Sequence, residues 1–168
     1  MSSSADGRTQ FPRPPLSVTD QRGRELTIEA YDDALDPLME MYGHFGGTSQ
    51  SQGLPPRTDH QKRTWLKQLL AEGLNVVARL EATVVGHAVL LPYDDTSELA
   101  IFVRPEDQSL GIGTALIRGL LGYGQENGLE HVWLSVSRDN RIAMRLYRSA
   151  GFETRDNDRG EFEMERNL

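Results

Sequence analysis
With 168 residues the chain has the size of one domain, whose usual length is about 100 to 200 residues. An apolar fraction of 38% supplies a core and a charged fraction of 26% is ordinary, which excludes wholesale disorder and fibrous repeats. Twenty-five acidic against 18 basic residues leave a formal charge of -7, which disfavours a polyanion such as nucleic acid, because phosphate neutralisation needs clustered Lys and Arg, and favours a cationic partner. The longest apolar runs, such as Val84 to Leu91, are interrupted by Gly86 and His87 and fall short of the roughly 18 residues a spanning helix needs, so no membrane segment is expected. The absence of Cys removes disulfides, thiolate metal sites and Cys nucleophiles. His44, His60, His87 and His131 form no HExxH and no close pair, so no metal is expected. MSSSADGRTQ lacks a charged segment followed by an apolar one, so no secretory signal is read and a cytoplasmic location is expected.

Residues 1–24 show no sustained periodicity, carry Phe11-Pro12-Arg13-Pro14-Pro15, and read as an N-terminal tail or arm before a domain over 25–168. Glu25 to Tyr31 alternates Leu26, Ile28 and Ala30 with polar residues, the period of a half-buried strand. Asp32-Asp33 stands where it would cap a helix whose apolar face is Leu35, Leu38, Met39 and Tyr42, ending near Gly43. Phe45 to Arg57 is rich in Gly, Ser and Pro and reads as a loop of a length often used for function. Thr58 and Gln61 make a capping box for a second helix with Trp65, Leu66, Leu69 and Leu70 on its apolar face, up to Gly73. Val76 to Leu80 and Val84 to Leu91 predict a hairpin across Glu81-Ala82-Thr83, its second strand ended by Pro92.

Glu98 to Val103 predicts another strand, stopped by Pro105. Gly111 to Tyr123 carries Ile112, Leu116, Ile117, Leu120 and Leu121 at helical spacing, and His131 to Val136 returns as a strand. Strand, helix, strand in so short a span is a crossover that makes the two strands parallel and the connection right-handed. Asn140 to Ala150 predicts a helix with Ile142, Ala143, Leu146 and Tyr147 on one side and Gly151 as its stop. Phe152 to Thr154 and Glu161 to Glu165 flank the polar turn Asp156-Asn157-Asp158-Arg159-Gly160 and predict a closing hairpin. His87, in an apolar strand, reads as a hydrogen-bonded core histidine, His44 as a surface helix-end residue, and Trp65 and Trp133 as core aromatics.

Chemistry concentrates in Gln108-Ser109-Leu110-Gly111-Ile112-Gly113-Thr114, between a strand and an amphipathic helix. Glycines at alternate positions let backbone approach a ligand closely, and the free N–H groups of a first helical turn attract an anion, so a phosphate-bearing ligand is implied. A plain strand-to-helix turn is the alternative. No Lys follows Gly113, which disfavours a nucleotide-hydrolysing P-loop, and Leu116 occupies the place of the third Gly of a dinucleotide fingerprint.

Val103-Arg104-Pro105 followed by Gln108-x-x-Gly111-x-Gly113 resembles the acyl-CoA motif of the GNAT superfamily of N-acetyltransferases. The likeness continues in Asn140-x-x-Ala143-x-x-Leu146-Tyr147 and Gly151-Phe152-Glu153, in the family's order and spacing, and spans roughly Glu25 to Leu168. It implies an α/β (α+β) fold with a mixed, mostly antiparallel sheet of about six to seven strands, a central parallel pair, and about four flanking helices. It also implies acetyl-CoA as cosubstrate, with the pyrophosphate held by the backbone from Ser109 through Leu110, Gly111, Ile112 and Gly113 to Thr114, beside Gln108. The pantetheine arm would lie along Ile101, Phe102 and Val103, and Asn140 would either contact it or merely cap its helix. Arg104, Arg138 and Arg141 are outer candidates for phosphate charge.

The reaction the resemblance implies is direct attack of a primary amine on a thioester. An amine of pKa near 10.4 must lose a proton and a thiolate near 8.5 must gain one, so a base and an acid are required. Tyr147 stands at the family's acid position, with an amphipathic core Tyr as the alternative, and Glu98 where many relatives carry a base, with a solvated strand-end Glu as the alternative. A catalytically silent acyl-CoA-binding regulatory domain is the rival from another class. The acceptor stays open among a protein lysine or N-terminus, a polyamine, an aminoglycoside and an amino acid. Gly23 to Ile28 and the downstream pattern are weakly similar to protein-lysine acetyltransferases. Monomer or homodimer is equally open.

Overall fold
The computed structural model describes residues 10–45, 55–158 and 160–168. The strands are β1 (Leu16–Thr19), β2 (Glu25–Ala30), β3 (Leu74–Leu80), β4 (Thr83–Tyr93), β5 (Thr96–Val103), β6 (His131–Ser137), β7 (Glu153–Asp158) and β8 (Glu161–Asn167). The helices are α1 (Asp36–Tyr42), α2 (Asp59–Glu72), α3 (Ile112–Glu126) and α4 (Arg141–Ser149), with a 3₁₀ turn at Pro105–Asp107. The strands form one sheet in the order β1-β2-β3-β4-β5-β6-β8-β7, antiparallel throughout except for the parallel pair β5 and β6.

Two apolar clusters sandwich the sheet. On one face Leu116, Ile117, Leu120 and Leu121 of α3 join Met144 and Tyr147 of α4 against Ile28, Val76, Ala78, Val85, Leu134 and Met164. On the other, Leu38, Met41 and Tyr42 of α1 and Leu66 and Leu69 of α2 pack on Val77, Val84, Val89 and Phe102. Being covered on both faces, β4 is buried without interruption from Val84 to Leu90 and reads apolar rather than alternating. Each such fully buried Val or Leu contributes about 1.5–3 kcal/mol by removal from water.

His87 is the polar exception in β4, fully buried, with Nε2 2.8 Å from Asn75 Oδ1 and Nδ1 2.7 Å from the Tyr42 hydroxyl. Asn75 directs its amide nitrogen to the Leu69 and Gly73 carbonyls, so its Oδ1 accepts from Nε2–H and Nδ1 accepts from Tyr42. Burial lowers the imidazole pKa to about 3, so the ring is neutral.

Several local expectations are corrected. Asp32-Asp33 does not cap α1: Asp33 Oδ1 accepts from the Ala34 amide, and α1 starts at Asp36 behind Leu35 with no side-chain cap. Pro37 in its first turn has the φ a helix requires and no N–H to leave unpaired. Pro92 does not end β4 but pairs in register with Ser97, past the last β3 pair, where proline is tolerated because only β5 remains as neighbour. β7 runs through Asp156 to Asp158, which had read as turn, after a register shift between Thr154 and Asp156. Trp133 is only half-buried, on the face of β6 opposite Val132 and Leu134, and lies outside both clusters. Ile142, assigned to the buried side of its helix, is 70% exposed, while Met144 is buried.

The sheet has one strand more than expected because Leu16–Thr19, too short for periodicity to declare itself, pairs antiparallel with β2. Upstream, Phe11 is buried against α3, its amide donating to Gln125 Oε1 at 2.9 Å and its ring lying under the guanidinium groups of Arg118 and Arg166. The segment crosses α3 at Gly122, where any Cβ would collide with the Pro12 carbonyl. Among the described residues no helix is long and apolar enough to cross a membrane.

Candidate active site
β5 and β6 share only two register pairs, Ser97 with Val132 and Glu98 with Trp133. Beyond them β5 pairs only with β4 and β6 only with β8, so the strands part and leave a wedge in the middle of the sheet. A cavity of about 980 Å³ fills it. Its walls are Glu98 to Val103 of β5, Ser135 to Ser137 of β6, the start of α3 at Gly111, Gly113 and Thr114, and the inward side of α4 from Asn140 to Ser149. Glu98, Tyr147, Ile101, Phe102, Val103, Gln108, Ser109 and Asn140, singled out in the sequence, all line this one space.

α3 starts without a protein cap. Its N-cap, Gly111, is left-handed at φ +93°, offers no side chain, and no acidic residue occupies the first turn. Among the described residues the amides of Gly111, Ile112, Gly113 and Thr114 find no acceptor in the protein. A helix end that answers none of its first N–H groups is a ready anion site, strengthened by the helix dipole. Ser109 is also left-handed, at φ +64°, so the loop turns sharply on either side of Leu110.

Not every expected residue contributes through its side chain. Ile112 is 2% exposed and its side chain is part of the core. The Leu110 carbonyl accepts from the Gln21 amide at 2.9 Å, and Leu110 itself does not line the cavity. Gln108 donates from Nε2 to the Val103 carbonyl at 3.0 Å, tying the loop back to the strand. Asn140 is an N-cap, its Oδ1 accepting from the Ala143 amide at 3.1 Å, and lines the cavity as well. Gly113 owes its small size partly to packing, since a Cβ there would lie 3.3 Å from Leu146 Cδ2.

Of the three outer arginines, Arg104 is held 2.7 Å from Asp107 and Arg138 stacks over Phe162, while Arg141 is exposed. Arg145, one turn beyond Arg141, is the arginine that lines the cavity among the described residues. Helical spacing from Asn140 would have shown that Arg145 and Arg141 share a side, but not which side faces the wedge. Gln21, Phe45 and Glu161 also line the cavity and carried no local signal of it.

The two candidate catalysts sit in contrasting surroundings. Tyr147 is 8% exposed, edge-on to Phe152, and its hydroxyl makes no hydrogen bond among the described residues. Burial pushes its phenol well above the usual value, so it keeps its proton at neutral pH. Glu98, half-buried at the point where the strands separate, has its carboxyl pushed up by desolvation. His44 is engaged at the surface, its Nδ1 2.7 Å from Glu106 Oε2, and does not line the cavity. Of the Gly- and Ser-rich loop, residues 46–54 lie outside the described residues, while Phe45 and Pro55 at its ends line the cavity.

A mixed sheet opened by a splayed parallel pair, with an uncapped helix start at the opening, forms a cleft with an anion site in its wall. Residues 35–152 match the Acetyltransferase (GNAT) family, and the chain belongs to it. The chain is 32% identical over 114 residues to mycothiol acetyltransferase of Paenarthrobacter aurescens, covering 64% of this chain and 35% of that protein. It therefore spans about a third of that relative's length. In structure it is similar to the GNAT domain of S. lividans PAT, with a TM-score of 0.77 at 17% identity over 92% of this chain and 97% of that one. PaiA N-acetyltransferase from Thermoplasma acidophilum, solved with coenzyme A, gives a TM-score of 0.68 at 20% identity over 84% and 99%. These likenesses bear out the expected fold.

Proposed function
We propose that the chain is an acetyl-CoA-dependent N-acetyltransferase that transfers acetyl directly to a primary amine, a protein lysine or N-terminus leading among acceptors. The observation that carries this reading is the wedge after Glu98 and Trp133, which joins a free strand edge, unpaired helix-start amides and the Tyr147 hydroxyl in one cavity. On this reading the amides of Gly111 to Thr114 receive the pyrophosphate, the free edge of β5 from Leu99 to Val103 receives the pantetheine amides, and the thioester lies between Glu98 and Tyr147. Family membership and the cofactor named for PaiA support it.

The amine attacks the thioester carbon, a tetrahedral oxyanion forms, and its collapse expels the CoA thiolate. Glu98, its carboxyl raised by desolvation, takes the proton that the amine nitrogen sheds as it attacks, directly or through water. Tyr147 donates a hydrogen bond to the departing sulfur. A phenol above 10 does not hand its proton outright to a thiolate near 8.5, so Tyr147 stabilises growing charge on sulfur rather than ionising ahead of it. Glu98 and Glu161 place negative charge in the cavity lining, which suits a cationic acceptor.

The testing experiment is thiol release from acetyl-CoA against a panel of lysine peptides, N-terminal peptides, polyamines and aminoglycosides. Turnover with an amine supports the enzyme. Tight acetyl-CoA binding with no thiol release above background for any amine would favour the catalytically silent binding domain instead.

A further inference from the structure
The turn between β1 and β2 reaches across the molecule to the loop before α3. Asp20, 7% exposed, closes that turn: its Oδ1 accepts from the amides of Arg22 and Arg24 at 2.9 Å each, and its Oδ2 from Arg24 Nε at 2.8 Å. The other arm of the same guanidinium extends to the start of the loop, with Arg24 Nη2 donating to Asp107 Oδ1 at 2.9 Å. Asp107 is 1% exposed, and its Oδ2 accepts from Arg104 Nε at 2.7 Å. Carboxylates and guanidiniums alternate from Asp20 through Arg24 and Asp107 to Arg104, with the more exposed Glu106 carboxylate 3.9 Å from Arg104, and Arg24 links the hairpin turn to the loop within this network.

The turn held in this way carries Gln21, whose amide donates to the Leu110 carbonyl at 2.9 Å. In a planar trans peptide the C=O and the following N–H point in opposite directions. Anchoring the Leu110 carbonyl on the turn therefore aims the Gly111 N–H away from it. Gly111 lines the cavity, and its N–H has no protein acceptor among the described residues. Gly111, at φ +93° and without a Cβ, sets no steric limit on the Leu110–Gly111 peptide, so the orientation of that peptide depends on anchors such as this one. Burial by itself raises the Asp107 carboxyl, but hydrogen bonds from Arg24 and Arg104 outweigh it and keep it charged.

We propose that Arg24 is a positioning residue of the acyl-CoA site: by bridging Asp20 to Asp107 it fixes the β1–β2 turn against the loop, and through Gln21 and Leu110 it presets the Gly111 amide for a pyrophosphate oxygen. The inference rests on the acetyl-CoA reading above. Arg24 does not line the cavity and acts only through the Leu110–Gly111 peptide, so the segment before β2 belongs to the binding apparatus rather than to a dispensable tail.

The test uses the full chain with Arg24→Gln and Arg24→Lys, the second keeping the charge without the two-pronged reach to both carboxylates. Coenzyme A affinity is read by calorimetry, fold by thermal melting, and the amide resonances of Gly111 and of Gly128, beyond the far end of α3, by nitrogen-15 NMR. Arg24→Gln is expected to weaken coenzyme A binding about tenfold or more and to displace the Gly111 resonance of the ligand-free protein while Gly128 stays in place, with a smaller loss in Arg24→Lys. A folded Arg24→Gln that binds coenzyme A as the unaltered protein does overturns the proposal, as does an equal displacement of both glycines, which would signal general loosening. Should Arg24→Gln not fold, unchanged affinity in Arg24→Lys overturns it equally. Failure of the unaltered protein to bind coenzyme A would instead refute the acetyl-CoA reading, and this inference with it.

Discussion
Glu98 and Trp133 form the last parallel pair that β5 and β6 share, and the sheet opens immediately beyond them. The candidate base is thereby set at the apex of the wedge, half-buried, with the strand edge on one side of it running free. A carboxylate at this point is shielded enough to shift its ionisation and open enough to meet an acceptor, which makes the reaction's pH dependence informative.

Glu98→Gln removes the charge with little change of shape. If Glu98 is the base, turnover of the unaltered enzyme climbs as pH rises through the elevated carboxyl pKa, and the variant loses that limb. The variant should recover partly toward high pH, as the amine near 10.4 deprotonates in solution. Matching profiles for the two proteins would return Glu98 to a strand-end residue.

Tyr147→Phe preserves the contact with Phe152 and deletes only the hydroxyl. Loss of one hydrogen-bond donor to developing charge costs about 100- to 1,000-fold, and turnover should fall by about 100-fold with acetyl-CoA affinity little altered. Single-turnover kinetics and calorimetry separate the two, and near-normal turnover would leave Tyr147 as packing alone.

Gly113→Glu should abolish acetyl-CoA binding in a protein that still folds, because the side chain would enter the cavity among the helix-start amides. The neighbouring Leu146 complicates the packing, since even a Cβ lies 3.3 Å from its Cδ2, and Leu146→Ala in the same chain should restore stability without restoring binding. Calorimetry showing normal affinity in the folded double variant would remove the pyrophosphate site from α3.

His87 supplies a stability test. Its folded pKa is lowered to about 3 from 6.5, so between these values the unfolded chain binds the extra proton and stability must fall as pH falls. The contribution is complete above about 6.5 and is lost through that window at up to about 1.4 kcal/mol per pH unit. Urea melts of His87→Gln should show a shallower decline from neutral pH to pH 4 than the unaltered protein, and parallel declines would mean that other groups govern the acid limb.

Signals carried within a few residues were legible in the chain itself. The period of Glu25 to Tyr31, the Thr58 cap on Gln61, the crossover from Glu98 to Val136 and the glycines at 111 and 113 needed no partner to be read. Each depends on backbone geometry or on contacts one turn away. What depends on distant partners was decided by packing. Four residues of β1 become a strand only because β2 offers an edge, and Trp133 leaves the core because its face of β6 is the one opposite Val132 and Leu134. The splay of β5 from β6 has no signature in either strand, since Leu99 and Phe102 of β5 and Leu134 and Val136 of β6 stay buried past the divergence. Asp107 and Arg24, 83 positions apart, look like ordinary surface charges until the fold buries Asp107 and pairs the two. Residue identities thus specified which chemical groups were available, while the long-range burial of strands and ion pairs determined which of them share a cavity.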